Sequence, residues 1–221
     1  MKNKQILLNL GCGTVAPKEW VNIDSSWNAW VHKFPVMIKI IKYMFPSLIN
    51  KIDTNWKNNI LIRNISRSLP FKDASVDGIY LSHVLEHLDT EKCQSVLNEC
   101  SRILKPGKFI RVIVPDLLQL TNVYINEVKT NKLNAANNYL DSLHLFLPRE
   151  KSLVEKIYFS LNDTDSHKWM YDKGLMVNKL KKSGFVHIRE CTFKKSKILL
   201  IDKVEKENRF INAICLEGER E

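Results

Sequence analysis

Residues 5–13 read Gln5-Ile6-Leu7-Leu8-Asn9-Leu10-Gly11-Cys12-Gly13, an apolar run that stops on a glycine pair. Unbroken apolarity over so short a stretch suits a strand covered on both faces, as in the middle of a parallel sheet. The glycines that follow let the chain turn tightly and bring backbone close to a ligand. Working outward, residues 20–23 form a second apolar strand that ends on Asp24, and 60–63, 76–81 and 109–114 are a third, fourth and fifth. A helical stretch containing Val84, Leu85 and Leu88 follows the fourth strand. Asp89 or Thr90 then N-caps a helix bearing Val96, Leu97, Ile103 and Leu104, which stops at Lys105-Pro106-Gly107, and Pro115 closes strand five. Helical patterns continue to about residue 147, a polar irregular stretch leads to His167, and a helix over 173–182 ends at Gly184. Residues 185–191 and 210–216 are the last strands. Strands alternating with helices imply an α/β fold with an open, mostly parallel sheet, helices on both faces and an antiparallel C-terminal hairpin at its edge.

The length, 221 residues, is about 1.5 times a typical domain and favours one domain, residues 1–221, with a substantial insertion. That insertion is residues 25–59, after strand two. It holds Trp27, Trp30 and Phe34, then Val36-Met37-Ile38-Lys39-Ile40-Ile41-Lys42-Tyr43-Met44-Phe45 between Pro35 and Pro46. At about 100° per residue Lys39 and Lys42 share a face and apolar residues cover the rest, so a short lid-like helix with a broad apolar surface is expected. With 44% hydrophobic and 26% charged residues the chain is neither disordered nor collagen-like. Its net charge of +10 favours an anionic partner such as nucleic acid, a membrane surface or a phosphorylated substrate, without choosing among them. Five scattered cysteines without a C-x-x-C pair indicate neither a disulfide framework nor a zinc knuckle. No segment approaches the roughly 18 apolar residues of a membrane span, and the apolar start is too short for a signal peptide. A cytoplasmic protein is expected, with peripheral contact at the inner membrane face as an option.

Ligands of open α/β sheets bind at the carboxyl ends of the strands, which here carry Gly11-Cys12-Gly13, Asp24, Asn64, Ser82-His83 and Pro115-Asp116. A carboxylate after strand two is placed to accept hydrogen bonds from a ribose diol, so the glycine pair with Asp24 implies a nucleoside ligand. A tight turn beside a surface acid is the structural alternative. A nicotinamide dinucleotide is disfavoured: Ala16 stands where the third glycine would be, and Gly13 and Asp24 are 11 residues apart instead of about 20. With Pro17 between them no full crossover helix fits.

Five segments taken in order carry a family resemblance: Leu8-Asn9-Leu10-Gly11-Cys12-Gly13; Ile23-Asp24; Leu69-Pro70-Phe71-Lys72-Asp73-Ala74-Ser75-Val76-Asp77; His83-Val84-Leu85-Glu86-His87-Leu88; and Leu104-Lys105-Pro106-Gly107. Over nearly its whole length the chain resembles class I S-adenosylmethionine-dependent methyltransferases. It is most similar to small predicted methyltransferases of bacterial cell-surface polysaccharide gene clusters, which share a late segment like His167-Lys168-Trp169-Met170-Tyr171-Asp172. The resemblance implies a Rossmann-like sheet and S-adenosylmethionine as cofactor. It places Asn9, Leu10, Gly11, Cys12 and Gly13 around the methionine part, Asp24 at the ribose, Asn64 and Ile65 at the adenine, and Ser82 and His83 against the sulfonium. Asn9 and Asn64 stand where the family usually has acids; an amide oxygen still accepts a hydrogen bond, without the charge.

On this reading the methyl goes to an oxygen of a glycan or glycan-linked acceptor, in a pocket built from His83, Asp116 and residues 166–172, with His83 or His167 as base for an alcohol. A carboxylate acceptor needs none. The alternatives are a lipid or small-molecule methyltransferase at the membrane face, for which the insertion and the charge speak, and a binding protein that has lost catalysis, for which Asn9 and Asn64 speak. Nucleic acid is a weaker partner, because Leu81-Ser82-His83-Val84 stands where amino-methylases carry Asn/Asp-Pro-Pro-Tyr. His83 to His87 also matches the H-x-x-E-H zinc pattern, but His83 sits at a strand-to-helix junction, and no metal is expected. Glu86 and His87 read as helix capping and core packing, His32, His144 and His187 lie outside any motif, and the lysines from 179 to 197 read as a solvated face.

Overall fold

Seven strands form one sheet in the computed structural model, which describes residues 5–44, 56–145 and 166–221. They are β1 (Leu7–Leu10), β2 (Val21–Asp24), β3 (Ile60–Ile62), β4 (Val76–Ser82), β5 (Leu104–Pro115), β6 (Phe185–Glu190) and β7 (Ala213–Arg220). The order across the sheet is β3-β2-β1-β4-β5-β7-β6. The first five are mutually parallel, and β7 runs antiparallel to both β5 and β6. The chain order reverses at β1 and β4, whose residues 7–10 pair with 78–81. At such a reversal the connections leave in opposite directions and open a crevice at the carboxyl edge. This is the expected Rossmann-like arrangement with an antiparallel pair at one edge.

Six helices among the described residues accompany the strands: α1 (Trp27–Lys33), α2 (Pro35–Met44), α3 (Thr90–Ile103), α4 (Leu117–Lys129), α5 (Ala135–Leu143) and α6 (Lys173–Lys182). Short polar side chains start four of them, as helix ends require. Ser26 caps α1, Asp89 α3, Asp116 α4 and Asp172 α6, each accepting from a backbone N–H in the first turn. The insertion is thus two helices rather than one. Its residues 45–55, including Phe45 and Pro46, lie outside the described residues, as do 146–165 of the stretch read as polar and irregular.

Three boundaries differ from the sequence reading. The stretch after β4 makes only a 3₁₀ turn, Leu85–His87, because the Glu86 carbonyl is taken by the N–H groups of Lys168 (2.7 Å) and Trp169 (3.1 Å) and cannot feed a longer helix. β5 starts at Leu104, passing through Pro106 and Gly107, since Leu104 already pairs with Val76 across a bulge. The last strand begins at Ala213, not 210, because Glu207–Phe210 coils into a 3₁₀ turn, and it extends to Arg220 beside β5.

On one face of the sheet Leu8, Leu10, Ile79, Leu81, Ile110 and Val112 pack with Val96 and Leu97 of α3 and Met176 and Leu180 of α6. On the other, Leu7, Trp20, Tyr80, Ile113 and Cys215 meet Ile198, Ile201 and Val204 of the 191–212 connection. Arg111 of β5 lies buried beneath that connection. Its Nε donates to Glu205 (2.6 Å), its terminal nitrogens to the carbonyls of Thr192 and Lys195 (both 2.9 Å), and Glu217 lies at 3.4 Å. An arginine fork with five donors can hold a buried loop in this way, and the connection therefore stays close over the carboxyl edge.

Candidate active site

The turn after β1 is shaped by backbone conformation. Gly11 and Gly13 both have positive φ, +65° and +53°, and a Cβ on Gly11 would come within 2.4 Å of Val84 Cγ2. Only glycine fits there, and the turn is held by Gly11 N–H (2.8 Å) and Cys12 N–H (3.1 Å) donating to the Ile23 carbonyl. Asp24, 8% exposed, stands at the end of β2 and accepts from Gly13 N–H (2.9 Å) through Oδ2 and from Ser26 N–H (2.8 Å) through Oδ1. Each carboxylate oxygen keeps a second acceptor site.

These groups line a cavity of about 530 Å³ at the carboxyl edge, a size suited to a nucleoside-containing ligand. Of the residues named from sequence, Asn9, Gly11, Cys12, Gly13, Asp24, Asn64, Ile65, Ser82 and His83 all line it. Their parts differ. Asn9 is buried and spends its amide N–H₂ on the Val15 carbonyl (2.7 Å) and Asn22 Oδ1 (3.2 Å), so it pins the glycine turn. Asn64 Oδ1 accepts from Ser66 N–H (2.8 Å), organising the turn after β3. Burial, reinforced by the Asp24 charge, pushes the Cys12 thiol far above its ordinary range, so it is no nucleophile at neutral pH. Ser82 Oγ is buried without a hydrogen-bond partner, an orphaned group that a bound cofactor would satisfy.

Three of the residues named from sequence are absent from this cavity lining. Leu10 is fully buried in the core and its side chain faces away from the cavity lining. Asp116 is also absent from that lining: Oδ1 accepts from Leu118 N–H (2.9 Å), so its position at the end of β5 serves the start of α4. His167 is turned between His87 and His144, with ring centroids 5.1 Å from each, and does not reach the cavity lining either. Burial, opposed by the Glu86 charge and assisted by the neighbouring histidines, lowers its pKa to about 4, so at neutral pH the ring is an uncharged lone-pair donor.

His83 takes a positive φ of 53°, uncommon for a non-glycine residue and typical of functional turns. Its Nε2 lies 2.9 Å from the Arg209 carbonyl and its Nδ1 3.3 Å from Glu86 Oε1. Both ring nitrogens face oxygen acceptors, so taking up an alcohol proton requires the ring to leave one of them. Besides Lys168, which lies in the 166–172 segment expected at the pocket, the cavity is lined by cations that sequence reasoning missed: Lys92, Lys206 and Arg209. Lys206 and Arg209 come from the 191–212 connection, a stretch with no motif, and only its anchoring by Arg111 brings them to the edge. Sequence reasoning also missed a buried cluster beside the cavity, in which ligand atoms of Glu86, His87 and His167 lie within 4.8 Å of one another.

Residues 8–112, from the glycine turn through β5, match the family model described as a methyltransferase domain. This part of the chain is similar to a methyltransferase domain. S-adenosylmethionine is the cofactor of that domain, and the glycine cradle, Asp24 and the orphaned Ser82 hydroxyl fit it. Across 116 residues the chain is 30% identical to the O-methyltransferase rstn1 of Aspergillus nomiae, a match covering 51% of this chain and 47% of that protein. The chain thus spans about half the length of the curated relative it matches. Solved structures with a similar fold include a SAM-dependent methyltransferase from Archaeoglobus fulgidus, at 17% identity over 99% of this chain and 87% of that one, TM-score 0.48. Another, from Methanosarcina mazei, shows 17% identity over 100% of this chain and 94% of that one, TM-score 0.49.

Proposed function

We propose that this protein transfers a methyl group from S-adenosylmethionine to an oxygen of an acidic glycan or glycan-linked acceptor. The observation that carries this reading is the composition of the cavity lining, which joins the glycine turn, Asp24, Asn64 and Ile65 with His83, Lys92, Lys168, Lys206 and Arg209. In this reading Gly11, Cys12 and Gly13 hold the methionine part, Asp24 accepts from the ribose hydroxyls, Asn64 and Ile65 meet the adenine, and Ser82 and His83 border the sulfonium. The bound cofactor supplies an electrophilic methyl, so the residues of the chain have to align the acceptor oxygen in line with it. Four cations in the cavity lining favour an acceptor carrying carboxylate or phosphate. A carboxylate oxygen attacks without losing a proton; a hydroxyl must give one up, and His83 is the base in the lining.

The test is methyl transfer from labelled S-adenosylmethionine to uronic-acid-containing and neutral glycans compared side by side. Turnover is expected with the acidic acceptors and reduced when Lys206 and Arg209 are both changed to Ala. Equal turnover on neutral glycans would refute the anionic acceptor. A second reading, an acceptor presented at the membrane face, is supported by the apolar side chains that α1 and α2 leave exposed: Trp30, Phe34, Val36, Ile40 and Tyr43. Loss of catalysis gains little support, because Asn9 and Asn64 shape the turns around the cavity and leave Asp24 in place.

A further inference from the structure

Beside the cavity, Glu86 is fully buried, yet neither carboxylate oxygen has a hydrogen-bond partner among the described residues. The nearest cationic candidate, His83 Nδ1, is 3.3 Å from Oε1 but not in hydrogen-bonding geometry. A carboxylate taken out of water in this way costs several kcal/mol unless a cation compensates it. Two histidines turn lone pairs to the same place. His87 Nδ1 lies 3.1 Å from the Ser166 carbonyl, an acceptor, which puts the ring N–H on Nδ1 and leaves Nε2 as its donor atom. His167 Nδ1 is itself buried and without a partner. A ligating histidine with its other nitrogen donating to a carbonyl is the usual outer-shell arrangement of a metal site.

We infer that Glu86, His87 and His167 bind a divalent cation of the zinc class. Two imidazoles and one carboxylate are a donor set that zinc accepts while keeping a fourth position open. Their ligand atoms lie within 4.8 Å of one another, against ~3.3 Å between ligands of a closed tetrahedron with bonds of ~2.0–2.1 Å, so the side chains draw in by about 1 Å on binding. One ion would satisfy at once the Glu86 carboxylate and His167 Nδ1, which are otherwise left without partners among the described residues. The site differs from the H-x-x-E-H pattern, since its second histidine is His167, 80 residues along the chain, and not His83. It also departs from the expectation that the protein takes no metal.

The position gives the ion a role. Residues 166–169 already lie against the turn after β4 through the Lys168 and Trp169 N–H bonds to the Glu86 carbonyl and the His87–Ser166 contact. Metal at the cluster fastens this segment there and so sets Lys168 at the cavity. The inference does not depend on the identity of the methyl acceptor.

The experiment uses the full chain stripped with a chelator and titrated with Zn²⁺ by calorimetry, and with Co²⁺ while visible absorption is read. One equivalent is expected, with the intense visible bands of four-coordinate cobalt. Affinity should fall by about a hundredfold or more in His167→Ala and in Glu86→Gln, and stay unchanged in His187→Ala, which removes an exposed histidine elsewhere. If His167→Ala fails to fold, Glu86→Gln keeps the size of the side chain and carries the test, and the cobalt spectrum of the unaltered chain needs no variant. Absence of stoichiometric binding to the folded protein, or binding that survives both substitutions, would overturn the inference.

Discussion

At the scale of single residues the cavity depends on Gly11 and Asp24. Gly11→Ala places a side chain in the left-handed region, a penalty of about 1–2 kcal/mol, and drives its Cβ against Val84. Urea denaturation should show a loss of at least that size, and Val84→Ala should restore the part due to contact while leaving the backbone part. Asp24→Ala removes the acceptor proposed for the ribose and should weaken S-adenosylmethionine binding by about 1.5–3 kcal/mol, measured by calorimetry. Undiminished affinity would place the cofactor elsewhere. His83→Ala should lower single-turnover rates by about 10²- to 10⁴-fold with a hydroxyl acceptor and far less with a carboxylate, which separates the two chemistries. Gly11 and Asp24 could be read in the sequence because a turn glycine and a strand-end acid have a local signature. The differing fates of Asn9, which pins a turn, and Asp116, which caps a helix, could not, since both depend on what their side-chain atoms meet in space.

Among the elements, α3 and β5 carry most of what can be tested. Glu99 of α3 accepts from Leu69 N–H (2.6 Å) and from Arg102, tying the helix to the segment that precedes β4. The Arg102 guanidinium, with the Leu69 N–H, holds the Glu99 carboxyl below its ordinary value of 4.5. A depressed folded-state pKa means stability that is present above the unfolded pKa and lost as pH falls through the folded one. The stability difference between the wild type and Glu99→Gln should therefore be full above about pH 5 and shrink as acid is added, in urea melts taken across that range. A gap that does not change with pH would mean the carboxylate charge plays no part. In β5, Arg111→Ala strands the buried Glu205 without its cation, Glu217 keeping Arg189, and should cost about 3–5 kcal/mol, loosening the 191–212 connection as well. Periodicity revealed α3 and α6 directly, through caps at Asp89 and Asp172. It misread residues 84–88 as a longer helix, because the competitor for the Glu86 carbonyl lies some 80 residues away.

For the molecule as a whole, α1 and α2 form one of the faces that leave apolar side chains exposed among the described residues: Trp30 stacks on Phe34 at 5.6 Å and Val36, Ile40 and Tyr43 are open to solvent. No helix among the described residues is long and apolar enough to cross a membrane, so contact there would be lateral. Changing Val36 and Ile40 together to Asp should reduce liposome binding, self-association or acceptor turnover, read by co-sedimentation, light scattering and the methyl-transfer assay. If all three are unaltered, the face has no such role. The net charge of +10 pointed to an anionic partner but named no position for it. From the sequence alone one could read the alternation of strands and helices, the sheet edge that binds, the glycine turn and Asp24, because hydrophobic periodicity and turn chemistry are local properties of the chain. Only tertiary structure decided which cations reach the cavity, that Leu10 and Asp116 stand apart from its lining, and that Glu86, His87 and His167 converge. The cations at the cavity and the approach of His167 to Glu86 and His87 join residues distant in sequence, and such contacts are set by how the sheet order and the buried Arg111 fold the late segments back over its carboxyl edge.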